Sequence, residues 1–295
     1  MGTDVHLVVE KKNDGKMLPE DYSFVGAPDK GEWGLLRGYY SLGIQEAREF
    51  ADTAQNQFKE YWVERLKELT SRKRIHFLYA WRNYDLFAIL AGVRNGLGFG
   101  GCDTGDPVEA IAEDRGLPAD MSAALEKIVN RKGGGGEREG WLGDHSFSHI
   151  TLWELMRHDW RTEKTNRGFV DLAQYRKCLA AGKSRPEDYC GGVWGNRVKT
   201  YTVAEMRRNP LTPAQMTRRK ITHPQLEWPV PHAVACDGFF TGALPTLARL
   251  ATGEDYSAAF TEYRDALADG RKPPALPKVP RKAAENIRIV FGFDS

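Results

Sequence analysis

The sequence predicts an α+β fold, in which a mixed or antiparallel sheet joins the N-terminal and C-terminal strands and helices pack on it. Residues 3–10 read TDVHLVVE and the chain closes on NIRIVFGFDS, and both stretches have the β-branched and apolar content that is typical of strands. Several segments between them repeat apolar residues at three- and four-residue steps, which indicates helices. Because terminal segments this apolar are usually tied into a sheet, we expect the two terminal strands to share one.

Length and composition indicate an ordinary globular protein. The chain has 295 residues, 41% hydrophobic and 28% charged, and we predict a single domain over residues 1–295. The net charge of +2 offers no long-range attraction to phosphate backbones, so nucleic-acid binding is not indicated. The sequence has no apolar run of the roughly 18 residues a membrane span needs and no signal-peptide layout, so we expect a cytoplasmic protein without a membrane partner.

Two helical patterns stand out. Residues 44–71 repeat apolar side chains along one face and predict one long amphipathic helix. Residues 82–96, RNYDLFAILAGVRNG, predict a buried helix that Asn83 caps and that Asn95-Gly96 ends. A glycine-rich loop follows at residues 96–107, and it is either flexible or placed so that its backbone approaches a ligand. The glycines at residues 133–136 predict a mobile loop over residues 132–140.

The densest polar segment is GDHSFSH, residues 143–149. Thr151 and Glu154 form a capping-box pattern, which predicts a helix from about Leu152 and makes residues 143–149 the loop before it. The first predicted strand places Asp4 and His6 on one face. We predict that these two segments meet in a catalytic site; its residues are Asp4, His6, Asp144 and His145. The structural alternatives are helix capping for residues 143–149 and an ordinary structural role for Asp4 and His6.

Asp and neutral His are good ligands for divalent metals, so a divalent metal is the cofactor we consider. The predicted metal ligands are Asp4, His6, His145 and His149. A hydroxyl nucleophile is the other option, since Ser146 and Ser148 lie beside histidines, although no Gly-x-Ser-x-Gly elbow is present.

Arginine together with Asn, Asp and Gly suits a phosphate-and-ribose ligand. The predicted ligand-binding residues are Arg82, Asn83, Asp85, Arg94, Asn95, Cys102, Asp103, Arg115, Ser146 and Ser148. Surface ion pairing is the alternative for Arg82 and Arg94.

Several blocks of the chain resemble a family of uncharacterised proteins found in bacteriophages and some bacteria. The matching blocks are MGTDVHLVVEK, RNYDLFAILAGVRN, GFGGCDTGD, RGLPADMS, GDHSFSHITLWEL and RIVFGFDS. Family members often read HSHSW where this chain has His145-Ser146-Phe147-Ser148-His149, and residues 41–73 look like a helical insertion. The resemblance implies a phage-related protein working in the host cytoplasm, in nucleotide metabolism, DNA modification or defence evasion.

The leading functional hypothesis is therefore an enzyme that acts on a nucleotide-like small molecule, with metal-assisted hydrolysis as one form. The alternatives are a non-catalytic protein that binds a nucleotide or a host protein, and a structural phage protein.

Overall fold

A computed structural model describes residues 4–38, 41–53, 57–71, 74–75, 77–79, 82–130, 142–182 and 185–294. The predicted mobile loop at 132–140 lies outside these residues. The chain divides into two compact units. The first unit comprises Thr3–Arg82, Ile111–His158 and Asp237–Ser295, and the second comprises Asn83–Ala110 and Asp159–Cys236. A single domain over residues 1–295 stays a prediction.

The described strands are β1 Val5–Lys12, β2 Tyr22–Phe24, β3 Trp33–Gly38, β4 Arg74–Ile75, β5 Phe77–Tyr79, β6 His145–Thr151, β7 Glu163–Phe169, β8 Thr200–Tyr201, β9 His223–Pro231 and β10 Ile287–Phe293. The described helices are α1 Ser41–Thr53, α2 Gln57–Ser71, α3 Tyr84–Ala91, α4 Ala123–Val129, α5 Leu152–Arg157, α6 Leu172–Ala180, α7 Val203–Arg208, α8 Pro213–Arg218, α9 His232–Ala235, α10 Leu244–Thr252, α11 Ser257–Ala268 and α12 Arg281–Glu285. A 3₁₀ turn spans Phe99–Gly101, and a π-helical turn, Phe239–Ala243, leads into α10. Within the described ranges, no helix combines the length and apolarity that a membrane span requires.

The first unit is built on a sheet in the order β2-β3-β1-β10-β6, with β4 beside β3 and β5 beside β1. β1 and β10 pair antiparallel from Val5 opposite Phe293 to Lys11 opposite Ile287. The predicted sheet that joins the two terminal strands is thus confirmed. Every residue of β10 is buried, because both faces of the strand are covered. The second unit has a smaller sheet in which β9 pairs antiparallel with β7 and parallel with β8.

Residues 44–53 and 57–71 are helical, but they belong to two helices, α1 and α2, rather than to the single one predicted for residues 44–71. α1 and α2 pack on each other: Ala47 and Leu69 are buried in a shared cluster, and Phe50 stacks on Trp62 with ring centroids 4.7 Å apart. A single helix of this length would extend over roughly 40 Å and leave its apolar stripe without a partner along that span. Two shorter helices bury parts of the same stripe against each other.

α3 begins as predicted, since the Asn83 side chain accepts a hydrogen bond from the Leu86 backbone N–H. Its end differs from the prediction: Gly92, with φ of 71°, closes the helix in the left-handed conformation before Asn95 is reached. The Asn95 side chain instead fastens the following loop, bonding both the backbone N–H and the carbonyl of Val108.

α5 begins at Leu152, and its capping box between Thr151 and Glu154 is present as predicted. The segment before it is not a loop, however, because residues from His145 onward form β6 and pair with β10. The polar run of His and Ser gives no strand signal of its own. Its backbone is extended because it supplies hydrogen-bond partners to the free edge of the apolar strand β10.

Candidate functional site

The polar ends of β1, β10 and β6 meet around Asp294, the residue after β10. One carboxylate oxygen of Asp294 accepts a hydrogen bond from the backbone N–H of Asp4 at 2.6 Å, and the other lies 3.3 Å from Nε2 of His6. The Asp294 backbone carbonyl lies 3.3 Å from Nε2 of His145. Two predicted segments far apart in the chain therefore do meet. We call the group Asp4, His6, Arg82, His145, Ser146 and Asp294 the Asp294 site.

Strand order explains this meeting. β10 lies between β1 and β6, and Phe293 faces Val5 on one side and His145 on the other. The His145 ring also stacks on the Phe293 ring, with centroids 6.1 Å apart. The apolar strands fix the register, so the polar residues at their ends are carried to the same edge of the sheet.

The hydrogen bonds assign the tautomers of both histidines. A carbonyl oxygen only accepts, so the Asp294 carbonyl places the proton of neutral His145 on Nε2. Nδ1 of His145 is then an acceptor, and it lies 3.0 Å from the hydroxyl oxygen of Ser146, which donates to it. The carboxylate of Asp294 likewise places the proton of neutral His6 on Nε2.

Arg82 adds a positive charge at the edge of this group. Its Nε and one terminal nitrogen donate to the two carboxylate oxygens of Asp4 at 2.9 and 3.2 Å. The Arg82 side chain is 47% exposed and that of Asp4 is 36% exposed, so solvent screens the pair. An incoming anion can therefore reach the guanidinium from the solvent side.

The backbone at Ser146 is strained. Ser146 has φ of 49°, in the left-handed region that non-glycine residues rarely occupy. The β6–β10 ladder pairs His145 with Phe293 and Ser148 with Phe291, skipping two residues on β6 against one on β10. This is a β-bulge, which re-aims a side chain and is frequent beside active sites. Just upstream, the Asp144 backbone N–H donates to the Phe293 carbonyl at 2.8 Å, and the Asp144 side chain is exposed.

His149 is not part of this group. It pairs with Val290, three residues back along β10 from the partner of His145, and its Nδ1 lies 3.2 Å from the carbonyl of Gly116. Within the residues that the structure describes, no three His, Cys, Asp or Glu side chains are grouped to hold a metal ion. The predicted divalent metal remains a prediction.

Two other predicted ligand-binding residues of the first unit hold the fold locally. Ser148 is fully buried and accepts from the backbone N–H of Arg115. The Arg115 guanidinium donates to Glu154 at 2.7 Å and to the carbonyl of His149. Both side chains thus tie the segment around residue 115 to β6 and α5.

In the second unit, Asp85 belongs to a buried polar cluster. Its carboxylate accepts from Lys164, whose side chain is 1% exposed, and from the side-chain amide of Asn166 at 3.1 Å. Arg94, which has φ of 54°, places its guanidinium over the Tyr84 ring. No sequence pattern singled out Lys164 and Asn166, because polar residues on a short strand are expected on its exposed face.

The glycine-rich loop packs against β7 at Gly105. The backbone of Gly105 lies against the Thr165 carbonyl so closely that a Cβ there would overlap it. Asp103 and Asp106 both pair with Arg167 of β7, so ion pairs also hold the loop against that strand. Cys102, in the same loop, is half-buried.

Three of the four thiols offer little nucleophilic character. Burial raises the pKa of Cys236 well above its usual value, and desolvation also raises the pKa of Cys178 and Cys190. These three side chains are consequently protonated thiols at neutral pH, whereas thiolates are the reactive form.

Comparison of the chain with protein-family models, curated proteins and solved structures finds no match.

Proposed function

We propose that this protein is an enzyme that hydrolyses a nucleotide or a related phosphorylated small molecule at the Asp294 site. The observation that carries the proposal is the position of Asp294. Its oxygens form hydrogen bonds with the rings of His6 and His145, and Arg82 is held nearby by its ion pair with Asp4. Two imidazoles and one guanidinium at a half-exposed sheet edge suit general acid–base catalysis on an anionic substrate.

Each residue has a role that follows from its contacts. His145 has its proton on Nε2 and presents Nδ1 as a base. His6 donates through Nε2 to Asp294 in the resting arrangement, and Asp294 would stabilise the imidazolium that forms when His6 accepts a proton. Arg82 would bind the phosphate. Exchanging Asp4 for phosphate costs about 1 kcal/mol or less, since exposed ion pairs contribute no more than that.

A divalent cation is compatible with this arrangement. Magnesium in phosphoryl-transfer sites is often held by one or two carboxylates together with the phosphates of the substrate. The Asp294 site contains two carboxylates, those of Asp4 and Asp294. A cation held in this way would neutralise phosphate charge.

The test is a phosphate-release assay on the full-length protein. The substrates are nucleoside mono-, di- and triphosphates and p-nitrophenyl phosphate, each with magnesium, manganese or EDTA. We expect turnover that falls at least 100-fold in His145→Ala and in Arg82→Ala. The matched control is His223→Ala, which removes a half-buried histidine of the second unit and should leave turnover unchanged. Absence of turnover on every substrate, or full activity in His145→Ala, would contradict the proposal.

A second candidate is a non-catalytic binding protein. The observation that favours it is a set of exposed apolar side chains on α1 and α2, a kind of surface that often marks a protein-binding face. These residues are Phe50, Phe58, Tyr61 and Val63. Nucleotide binding in calorimetry without any phosphate release would favour this candidate over the enzyme.

A further inference from the structure

We propose that Ser146 is a covalent nucleophile and that the enzyme works through a phosphoserine intermediate. This inference rests on the proposed function and deepens it, because it names the atom that attacks the substrate. Three separate features of the described structure support it: the hydrogen bond from Ser146 to His145, the group that orients His145, and the conformation of Ser146 itself.

The first two features form a relay. The Ser146 hydroxyl lies 3.0 Å from Nδ1 of His145, within the reach needed for proton transfer. The opposite ring nitrogen of His145 donates to the Asp294 carbonyl at 3.3 Å. A nucleophile bonded to a base, with the base held by a third group, is the arrangement that activates a serine.

The third feature is the backbone. A serine in the left-handed region costs about 1 kcal/mol or more, and such strain persists where the surrounding structure imposes it. The bulge between β6 and β10 imposes it here, because the ladder skips Ser146 and Phe147. Ser146 is half-buried, so it is reachable from solvent, whereas Ser148 is fully buried and engaged by Arg115. Of these two serines, only Ser146 is accessible.

The reaction balances without any added oxidant or reductant. The Ser146 Oγ attacks the substrate phosphorus and forms an O–P bond while its proton passes to Nδ1 of His145. The bond from phosphorus to the leaving oxygen breaks, and that oxygen takes the proton from His145. Water then attacks the phosphoserine, gives one proton to His145 and releases phosphate, and His145 returns the proton to Ser146 Oγ. The net reaction is hydrolysis of one phosphoester bond.

The experiment is labelling of the full-length protein with a fluorophosphonate probe, which phosphonylates an activated serine and releases fluoride. We expect one adduct per chain, located on Ser146 by mass spectrometry of the peptides. Ser257 is the internal control, because it is exposed and hydrogen-bonded to the Asp255 carboxylate but has no histidine partner among its observed bonds. Labelling should be absent in Ser146→Ala and at least 10-fold slower in His145→Gln.

Ser146→Gly is the second variant, since glycine accepts positive φ and preserves the fold if Ser146→Ala does not. A labelled Ser257 with an unlabelled Ser146, or equal labelling in His145→Gln, would overturn the inference. The phosphate-release assay separates the two proposals. Turnover that requires His145 but persists in Ser146→Gly would support the proposed hydrolase and overturn the Ser146 inference, because water would then be the nucleophile. Labelling of Ser146 without release of phosphate would support Ser146 as a nucleophile and contradict the proposal that the substrate is phosphorylated.

Discussion

The two ends of the β1–β10 pair carry charged residues in opposite settings. At one end, Glu10 lies opposite Arg288, and their side chains are fully or almost fully buried. Glu10 accepts from Arg288 at 2.9 Å and from the Ser122 backbone N–H at 2.8 Å, while Arg288 also pairs with Asp120. At the other end, the Asp294 site is half-exposed and includes a strained serine. We call these the buried end and the open end.

The comparison separates enclosed charges from accessible ones. At the buried end, Arg288 also lies over the Trp33 ring at 3.9 Å, so its charge is enclosed by protein partners. Such a network fixes strand register. At the open end, water screens the ion pairs, so a ligand can replace one partner of a pair at little cost, which suits binding and turnover. Substitutions at either end test this division.

The largest effect is expected at the buried end. Arg288→Met leaves the Glu10 carboxylate buried without its charge partner, which should lower the free energy of unfolding by about 3–5 kcal/mol. Denaturant titration measures this loss. The double variant Glu10→Leu/Arg288→Met should recover most of it, because it removes both charges. A single variant within about 1 kcal/mol of the wild type would show that the buried network is not structural.

The second-largest loss of stability is expected for a substitution of the glycine next to the open end. Gly143 has φ of 97°, and a Cβ there would meet the Phe293 carbonyl oxygen at 2.5 Å and the Phe293 nitrogen at 2.7 Å. Gly143→Ala should therefore cost about 2–3 kcal/mol, since both strain and backbone overlap oppose it. Gly253→Ala is the matched control, because Gly253 has φ of 86° with nothing within 4 Å. Equal unfolding free energies for the two variants would disprove close packing against β10.

The capping box beside the buried end should give a pH-dependent effect. Burial alone would raise the pKa of Glu154, but hydrogen bonds from Thr151 and Arg115 outweigh it and lower the pKa. A lowered folded-state pKa contributes stability that is present above the unfolded-state pKa and is lost as the pH falls through the folded-state pKa. Glu154→Gln should cost about 1 kcal/mol at pH 7 and nearly nothing at acidic pH. Thermal unfolding at both pH values measures the difference, and a pH-independent loss would argue against a charge effect.

At the open end, removing one side chain of the Asp294 site should barely change stability. His6→Ala breaks a half-exposed pair with Asp294, so we expect less than about 1 kcal/mol in the free energy of unfolding. The same variant should lose most phosphate release. Activity without His6, or a stability loss as large as that of Arg288→Met, would remove the distinction between the two ends.

The smallest effect is expected to be a gain. Ser146→Gly relieves the positive φ and should raise the free energy of unfolding by about 0.5–1 kcal/mol, although it removes the nucleophile. Differential scanning calorimetry against the wild type measures the gain. A loss of stability would mean that the hydroxyl contributes more to the fold than the strain costs.

Local sequence patterns predicted much of the fold. β1 and β10 were visible because both are apolar enough to be buried, and α5 was visible because its capping box is encoded within four residues. The start of α3 at Asn83 was predicted for the same reason. Patterns that depend on a distant partner were missed: β6 has no strand signature, and the division of residues 44–71 into two helices depends on their packing against each other.

The candidate site divides in the same way. The sequence by itself indicated Asp4 and His6 because they share one face of the first predicted strand, and His145 because it lies in a dense polar segment. Only the tertiary structure placed them around Asp294 and separated His149 from them. It also decided that Glu10 and Arg288 are enclosed, although charged side chains are mostly exposed in proteins. The physical reason is that strand and helix periodicity is a local property, whereas register, bulges and charge pairing depend on which strands become neighbours.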